Sequence, residues 1–402
     1  MNDITSLDGQ RDLPRYFAAT AAVLRNLRQG SVRIALPDGR VFRLEGKTQG
    51  AVGEIIVRNN AVFARIARDG QLAVAESYMD GDWDTPDLIA LLDILLPSND
   101  AFARQMRGAG LVRAYERIRH WLRNNSRGQA RRNISHHYDL GNDFYSQWLD
   151  ESMTYSSALF SRDDQTLEDA QRAKYAAICD GIGVRQGDSV LEIGCGWGGF
   201  AEYAARERGA TVTGLTISRA QHDFAAARMQ RLGLNDRVNI VMRDYRDERG
   251  RYDGIASIEM FEAVGESYWP TYFETVHGRL KSGGKAALQI ITIRDDLFSH
   301  YRKHVDFIQK YIFPGGMLPS AKALAEQAAR VGLKQVQSFD FAPSYSRTLR
   351  IWMEDFNAKW AHIRQFGFDE RFKRMWNFYL ASCAAGFAGD QIGVVQNTYQ
   401  RA

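Results

Sequence analysis

The central part of the chain alternates short apolar runs with segments whose apolar residues recur at helical spacing. Apolar runs of strand length occur at residues 189–193, 211–216, 238–242, 252–258 and 285–293. Segments with helical spacing lie between most of them, at 198–208, 218–232 and 268–280. Such alternation predicts a parallel sheet covered by helices on both faces. We therefore expect an α/β fold, with helices after residue 294 and further strands at 334–341 and 391–399.

The first hundred residues carry a different pattern. Three short alternating runs at 31–39, 40–46 and 53–59 follow a helical stretch at 16–27, and Pro-Asp-Gly at 37–39 predicts a hairpin turn. A turn and another helical segment follow. We interpret residues 1–100 as a small α+β N-terminal domain, 101–135 as a basic helix and linker, and 136–402 as the main α/β domain.

The net charge is only +4, but basic residues are concentrated in one segment. Between Arg104 and Arg132 there are nine arginines and a single acidic residue, Glu116, with apolar residues at roughly helical spacing among them. A basic amphipathic helix of this kind fits an anionic membrane surface. The same composition also suits a solvated basic face that docks on an acidic part of another domain, or nucleic acid.

Composition narrows the class of protein. The 402 residues are 45% hydrophobic and 25% charged, the balance of an ordinary folded protein. Cys179, Cys195 and Cys383 are far apart, which favours neither a disulfide framework nor a metal site. The first residues lack the pattern of a signal peptide, and no uninterrupted apolar run of about 18 residues occurs. We expect a cytoplasmic protein that meets lipid only peripherally, at the inner face of the membrane.

A glycine-rich turn follows the first strand of the predicted sheet. Residues 191–199 read Leu-Glu-Ile-Gly-Cys-Gly-Trp-Gly-Gly, and they open a helix. Glycines allow a tight turn and the close approach of a ligand, while the helix N-terminus offers unpaired N–H groups. Nicotinamide enzymes share a bare Gly-x-Gly, but here the third glycine is displaced from the dinucleotide spacing and Glu192 lies within the strand. This form resembles the first motif of Rossmann-like methyltransferases, which use S-adenosylmethionine; the alternative is a packing turn without ligand.

Polar residues after the next two strands are candidates for the rest of the cofactor site. Such folds usually bind the ribose with an acid at the end of the second strand, but residues 214–218 contain none. Thr216 and Gln221 are the polar substitutes near that end. Asp244 and Tyr245 follow the third strand and can bind the adenine by hydrogen bonding and stacking. The alternative is a solvated aspartate and a half-buried tyrosine.

Two carboxylates follow the fourth strand, in the segment EMFEAVG at 259–265. Methyltransferases that act on exocyclic amines of nucleobases usually carry Asn/Asp-Pro-Pro-Tyr at this point, so its absence from the sequence disfavours a nucleic-acid substrate. A carboxylate here can hold a base, a proton acceptor or a cation. We interpret Glu262 as the functional carboxylate and Glu259 as a structural residue. Burial among Met260 and Phe261 would make an unpaired carboxylate costly, so we expect a partner for it.

Several segments together resemble the cyclopropane fatty acid synthase family, which includes the mycolic acid cyclopropane synthases. They are SHHYDLGNDFY (135–145), MTYSSALF (153–160), VLEIGCGWGGFAEYAA (190–205), VTGLTISRAQ (212–221), MFEAVG (260–265), KYIFPGGMLPS (310–320) and the stretch 345–352. The resemblance spans about 130–402 and extends through ESYMDGDWD (76–84) into the N-terminal domain. It implies that residues 136–402 form a catalytic domain with a Rossmann-like class I methyltransferase sheet and helical additions.

The resemblance also implies a reaction. Family members transfer the methyl group of S-adenosylmethionine to a cis double bond of an acyl chain, here one in membrane phospholipid, and a homodimer is suggested. A cation develops on the chain, and a bound bicarbonate removes a proton so that a cyclopropane ring closes. A double bond is a poor nucleophile, so catalysis must come from placement and exclusion of water. By resemblance, the cofactor pocket is lined by Tyr155, Ser156, Gly194, Gly196, Thr216, Gln221 and Tyr245.

An anion site is implied as well. By resemblance, Glu262 and Tyr345 hold the bicarbonate, with backbone contacts near Ser157 and Ile291. The family commonly has a cysteine where Ser157 stands and a histidine where Gln289 stands. A contact through the backbone survives the first change, but Gln289 cannot be protonated as histidine can. Bicarbonate then binds with changed affinity, or the proton is removed from elsewhere.

The product and the substrate class therefore stay open. The residue after Glu262 is often histidine in the family and is Ala263 here, which adds to the departures around the anion site. Loss of a different proton gives a methylated or methylene-bearing chain instead of a ring. Two further alternatives are a methyltransferase for a small soluble molecule, which would need neither the N-terminal domain nor the basic helix, and a lipid-binding relative without turnover.

Overall fold

The computed structural model describes residues 3–98 and 140–402, which fall into two compact units. The first unit contains the described residues up to 98 together with His304–Phe307 and Trp360–Gln391. The second contains residues 140–303, Ile308–Lys359 and Ile392–Ala402. The predicted basic helix and linker at 101–135, and the first five residues of the 135–145 motif, lie outside the described residues.

The first unit contains a four-stranded sheet. Its strands are β1 (Ser31–Ala35), β2 (Val41–Glu45), β3 (Val52–Val57) and β4 (Trp83–Asp84), in the order β2-β1-β3-β4. β1 and β2 pair antiparallel, so the Pro-Asp-Gly segment closes a hairpin as predicted. The helices of this part are α1 (Phe17–Leu24), α2 (Ala61–Asp69), α3 (Gln71–Met79) and α4 (Leu88–Leu95).

The second unit contains a seven-stranded sheet in the order β10-β11-β9-β8-β5-β6-β7. The strands are β5 (Ser189–Ile193), β6 (Thr211–Thr216), β7 (Val238–Met242), β8 (Tyr252–Ile258), β9 (Leu280–Ile293), β10 (Leu333–Asp340) and β11 (Ile392–Arg401). The helices are α5 (Asn142–Tyr145), α6 (Leu167–Ile182), α7 (Gly199–Glu207), α8 (Arg219–Arg231), α9 (Trp269–Arg279), α10 (Asp295–Tyr301), α11 (Ala321–Arg330) and α12 (Ala342–Ala358). A π-helical turn, Ile308–Ile312, lies between α10 and α11.

Strands β5 to β9 run parallel, whereas β11 pairs antiparallel with both β9 and β10. Apolar residues of α6, α7 and α8 form one buried cluster with the sheet, and those of α9 and α11 form another. The predicted α/β fold with helices on both faces is confirmed. Because parallel strands end at the same edge, the residues after β5, β6, β7 and β8 lie along one carboxyl edge, where such sheets bind ligands.

Two further helices, α13 (Trp360–Ile363) and α14 (Glu370–Ala388), belong to the first unit. The sequence pattern predicted these residues in the catalytic domain, but α14 buries its apolar face against α3 and α4. The rings of Phe378 and Tyr78 lie 5.8 Å apart between centroids. The guanidinium of Arg374 donates to the carbonyl oxygens of Tyr78 at 2.5 Å and Trp83 at 2.7 Å.

Candidate active site

The glycine turn, residues 194–199, connects β5 to α7 at the carboxyl edge of the sheet. Gly194, Gly196 and Gly198 have φ angles of 84°, 51° and 86°, which glycine adopts without steric cost. The amides of Gly194 and Cys195 both donate to the carbonyl of Leu215, at 3.0 and 2.8 Å, which ties the turn to β6. A Cβ on Gly194 would lie 2.6 Å from Cγ of Met260, so the backbone here passes directly beside the segment after β8.

Glu192 is buried in β5 just before this turn. One side-chain oxygen, Oε2, has no hydrogen-bond donor among the described residues. Burial raises the pKa of Glu192 to about 8, opposed by the charge of Lys174 and by a backbone hydrogen bond from Ala201. The site therefore contains a buried polar atom that a ligand can satisfy with a hydrogen bond.

Thr216, Gln221 and Asp244, the polar residues after β6 and β7, are buried and hydrogen-bonded. The hydroxyl of Thr216 contacts Oε1 of Gln221 at 3.0 Å, and it accepts from the amide of Ser218 at 3.1 Å. The carboxylate of Asp244 forms an ion pair with the guanidinium of Arg246 at 2.6 and 2.8 Å, and Tyr245 packs against Tyr272 with ring centroids 5.5 Å apart. Their assignment to ribose and adenine binding stays a prediction.

An aromatic cluster surrounds Tyr155, the first residue predicted in the cofactor pocket. Its ring centroid lies 5.3 Å from that of Tyr145, 5.5 Å from Trp148 and 5.4 Å from Trp352. The next residue, Ser156, accepts a hydrogen bond from the ammonium of Lys174 at 2.7 Å. The segment 155–157 thus joins an apolar aromatic cluster to a buried polar network.

The centre of that polar network is Glu259. Its carboxylate accepts hydrogen bonds from the amide of Ser157 at 2.8 Å, from Nε2 of Gln289 at 2.7 Å and from the hydroxyl of Tyr345 at 2.5 Å. We call these three groups the donor cluster. They come from three separate elements, the loop before α6, strand β9 and helix α12. All three belong to residues that the sequence analysis assigned to an anion site, and the anion they bind in the structure is Glu259.

The backbone of Glu259 is unusual. Its φ is 49°, in the left-handed region that residues with a Cβ rarely adopt. Its amide donates to the carbonyl of Gln289 at 2.8 Å, so the chain turns here while still bonded to β9. The orientation of Gln289 is fixed in turn, because its Oε1 accepts from Nε2 of Gln396 at 3.0 Å. Its amide nitrogen is therefore directed at Glu259.

Glu262 lies on a 3₁₀ turn, Phe261–Ala263, next to this network. Its Oε1 accepts from the amide of Ile291 at 2.5 Å, while its Oε2 has no hydrogen-bond donor among the described residues. Burial raises the pKa of Glu262 to about 8, and the negative charge of Glu259 adds to this. At neutral pH, Glu262 is therefore a neutral carboxylic acid that can donate a hydrogen bond.

Burial also raises the pKa of Glu259, opposed by the Tyr345 hydroxyl, the charge of Lys174, the Ser157 amide and the Gln289 amide. The two neighbouring carboxyl groups differ in their hydrogen bonds. Glu259 accepts three, an arrangement that suits a carboxylate, whereas Glu262 accepts one.

The structure brings together Glu262, Tyr345, Ser157, Gln289 and Ile291, the residues predicted for the catalytic site; their roles stay predictions. Glu259 was predicted to be a structural residue, and Lys174 was not among the predicted site residues. Lys174 is fully buried on α6, and burial lowers its pKa to about 8. Its sequence signal was a lysine whose neighbours four residues away, Ala170 and Ile178, are both apolar.

Comparison with known proteins identifies the family of the chain. The family model described as "Mycolic acid cyclopropane synthetase" matches residues 125–397. The tuberculostearic acid methyltransferase UfaA1 of Mycobacterium tuberculosis is 38% identical over 96% of this chain and 92% of its own length. The cyclopropane-fatty-acyl-phospholipid synthase of Escherichia coli K12 is 35% identical over 92% of this chain and 95% of its own.

Solved structures give the same result. The cyclopropane synthase MmaA2 of Mycobacterium tuberculosis has a TM-score of 0.64 and 29% identity, over 67% of this chain and 98% of its own. The mycolic acid cyclopropane synthase CmaA1, solved with S-adenosylhomocysteine and CTAB, has a TM-score of 0.64 and 30% identity over the same shares, 67% and 98%. S-adenosylmethionine is the co-substrate of these enzymes. The chain therefore belongs to the mycolic acid cyclopropane synthetase family and is an S-adenosylmethionine-dependent methyltransferase.

Proposed function

We propose that this protein transfers the methyl group of S-adenosylmethionine to a double-bond carbon of an unsaturated fatty acyl chain in membrane phospholipid. The observation that carries the proposal is the buried carboxyl group of Glu259, which accepts three hydrogen bonds from its donor cluster. An amine or hydroxyl substrate can lose its proton to water. A cation on a hydrocarbon chain that is closed off from water needs an acceptor inside the site.

The residues of this chain also fit the co-substrate. A Cβ at Gly196 would meet no atom within 4 Å, so the turn has space for a ligand there, and Oε2 of Glu192 can accept a hydrogen bond from an ammonium group. When bound, S-adenosylmethionine supplies a methyl group on a positively charged sulfur. The predicted roles of Tyr155, Ser156, Thr216, Gln221, Asp244 and Tyr245 in holding it form part of this proposal. The protein then acts by positioning the acyl chain and excluding water.

One cation leads to more than one product. Loss of a proton from the transferred methyl group closes a cyclopropane ring, whereas a hydride shift before proton loss gives a methylene-branched chain. The names of the two relatives, a cyclopropane-fatty-acyl-phospholipid synthase and a tuberculostearic acid methyltransferase, are consistent with acyl-chain chemistry of either kind. We propose both as outcomes of one first step, methyl addition to the chain.

Contact with the membrane is part of the same proposal. None of the helices within residues 3–98 and 140–402 is long and apolar enough to cross a membrane. We propose that the protein binds an anionic membrane surface peripherally, from the cytoplasmic side, through the arginine-rich segment 101–135. A homodimer and the lack of a nucleic-acid partner stay predictions from the sequence.

The test uses the purified full chain, vesicles of oleoyl phosphatidylglycerol, and S-adenosylmethionine with a fully deuterated methyl group. We expect release of S-adenosylhomocysteine that requires the vesicles, and mass spectrometry should find the label in the acyl chain. Retention of two deuterons indicates a ring or methylene group, and retention of three indicates a simple methyl group. Cofactor binding without turnover would favour the non-catalytic alternative, and turnover only with soluble acceptors would favour a small-molecule enzyme.

A further inference from the structure

We infer that the Glu259 carboxylate is the proton acceptor of this enzyme and stands where the family resemblance places a bound bicarbonate. The inference rests on the proposed function and deepens it, because it names the base of the same reaction. It also predicts a property that distinguishes the protein from a bicarbonate-dependent enzyme: turnover without any dissolved anion.

The first support is that all three groups of the donor cluster donate to Glu259. The amide of Ser157, the side-chain amide of Gln289 and the hydroxyl of Tyr345 all donate to Glu259, at 2.8, 2.7 and 2.5 Å. By resemblance these residues surround the bicarbonate. A carboxylate and a bicarbonate present the same planar pair of oxygens to hydrogen-bond donors, so one can replace the other chemically. A bound bicarbonate and the Glu259 carboxylate would need the same three donors, and in this protein the donors bind Glu259.

The second support is the departure at position 289. A histidine there can be protonated and attract an anion from solution, whereas Gln289 is always neutral. An anion covalently attached to the chain needs no such attraction, because its local concentration is fixed by the fold. Gln289 is held in the orientation that suits a permanent carboxylate by its hydrogen bond with Gln396 at 3.0 Å. Glutamine in place of histidine at position 289 is therefore consistent with a site whose anion is Glu259.

The third support is the backbone at Glu259. A residue with a Cβ is strained in the left-handed region relative to the right-handed one, and glycine avoids this strain. The φ of 49° means that this position favours glycine on conformational grounds. Strained non-glycine residues persist where the surrounding structure fixes them, and they cluster at active sites. The side chain of Glu259 is fixed in this way by three hydrogen bonds.

The reaction balances with Glu259 as acceptor. The sulfur–methyl bond breaks, its electron pair stays on sulfur, and the π electrons of the alkene bond the methyl carbon, which leaves a cation on the neighbouring carbon. A C–H bond of the new methyl group then breaks, and its proton goes to the Glu259 carboxylate. The electron pair either closes the ring or, after a hydride shift, forms the methylene double bond. Glu259 ends as a carboxylic acid and loses its proton before the next turnover.

Glu259→Gly is the most informative variant, because glycine suits the left-handed backbone and leaves the donor cluster without its anion. Turnover is measured as S-adenosylhomocysteine release with oleoyl phosphatidylglycerol vesicles, in buffer depleted of carbon dioxide and again with added bicarbonate. We expect the unaltered enzyme to have the same rate of turnover in both buffers. We expect the glycine variant to lose roughly 10²-fold or more without bicarbonate, the usual contribution of a general base, and to recover with it.

Glu259→Gln serves as the comparison. Glutamine still occupies the donor cluster but cannot accept a proton, so its loss of activity should not be restored by bicarbonate. Asp253→Asn is the matched control, since it removes a carboxylate from the opposite end of the same strand, where Asp253 pairs with Lys281. It should match the unaltered enzyme in turnover. Binding of S-adenosylmethionine, measured by calorimetry, should persist in all three variants and shows that they are folded.

The possible results distinguish a failure of this inference from a failure of the proposed function. If the unaltered enzyme releases S-adenosylhomocysteine only when bicarbonate is added, Glu259 is not the acceptor, although the proposed function stands. A glycine variant that keeps full activity in depleted buffer, or that loses activity without recovery in bicarbonate, would also overturn the inference. If the unaltered enzyme releases no S-adenosylhomocysteine under either condition, the proposed function fails and the inference fails with it.

Discussion

The proton on Glu262 makes the stability of the folded protein depend on pH. The group has an ordinary pKa of 4.5, and burial, together with the charge of Glu259, raises the pKa to about 8 in the fold. Between these values the folded protein holds a proton that the unfolded chain has released. The free energy of unfolding should therefore fall as the pH rises from about 4.5, with the loss complete above about 8. Urea denaturation at a series of pH values measures the slope.

Glu262→Gln is the control for this slope. Glutamine keeps an acceptor for the Ile291 amide but does not titrate, so stability should fall less steeply with pH in the variant. Part of the slope should remain, because Glu192 has a pKa raised to about 8 by burial and acts in the same direction. An identical slope in the variant and the unaltered protein would show that Glu262 does not hold the proton.

A second prediction concerns the side chain at position 289. Gln289→His alone should not make turnover depend on bicarbonate, because Glu259 still binds the donor cluster. In a Glu259→Gly background the same change should increase the stimulation by bicarbonate several-fold, since a protonated histidine attracts the anion. Bicarbonate titrations of the two single variants and the double variant measure this. Bicarbonate dependence in Gln289→His alone would contradict it.

The sequence predicted which residues would surround an anion but not which anion. Ser157, Gln289, Tyr345 and Glu262 follow from the family pattern, and the structure brings them together. Glu259, which lies directly after β8 and three residues before Glu262, was interpreted as structural. Residue type alone does not indicate a left-handed backbone at a glutamate, and that conformation decides where its side chain points.

At the level of the elements, the glycine turn can be tested by a pair of alanine substitutions. Gly194→Ala and Gly233→Ala both place a Cβ at positive φ, 84° and 66°, at a cost of roughly 1–2 kcal/mol each. Only the first also brings that Cβ within 2.6 Å of Met260; the second meets nothing within 4 Å. We expect Gly194→Ala to weaken S-adenosylmethionine binding by about tenfold or more, equivalent to about 1.4 kcal/mol, and Gly233→Ala to leave it unchanged. Calorimetric titration measures both, and equal affinities would contradict the role of the turn.

Strand boundaries were predicted most accurately for the four parallel strands β5 to β8, which begin and end where their apolar runs do. Parallel strands covered by helices read as largely apolar segments. The start of β9 was missed by five residues, since the Ser-Gly-Gly sequence at 282–284 has the composition of a turn. The partner of α14 could not be predicted, because an amphipathic pattern shows that a helix is buried but not against what.

For the whole molecule, the discontinuous first unit has a testable property. Residues 3–98 lack α14, which covers α3 and α4 and contributes Arg374 and Phe378 to their packing. A fragment of residues 1–98 should therefore show no cooperative thermal unfolding, because its apolar helix faces stay exposed to water. Addition of a peptide spanning 360–391 should restore a transition detected by near-ultraviolet circular dichroism. A fragment that unfolds cooperatively alone would show that α14 is dispensable.

The position of β11 between β9 and β10 affects how the protein is made. Ribosomes synthesise a chain from its amino terminus, so residues 392–401 emerge after every other strand of the sheet, and α14 emerges just before them. Neither unit can be completed until these late segments have left the ribosome. A nascent chain interrupted before residue 360 therefore keeps apolar surfaces uncovered in both units, which makes it a substrate for chaperones and proteases.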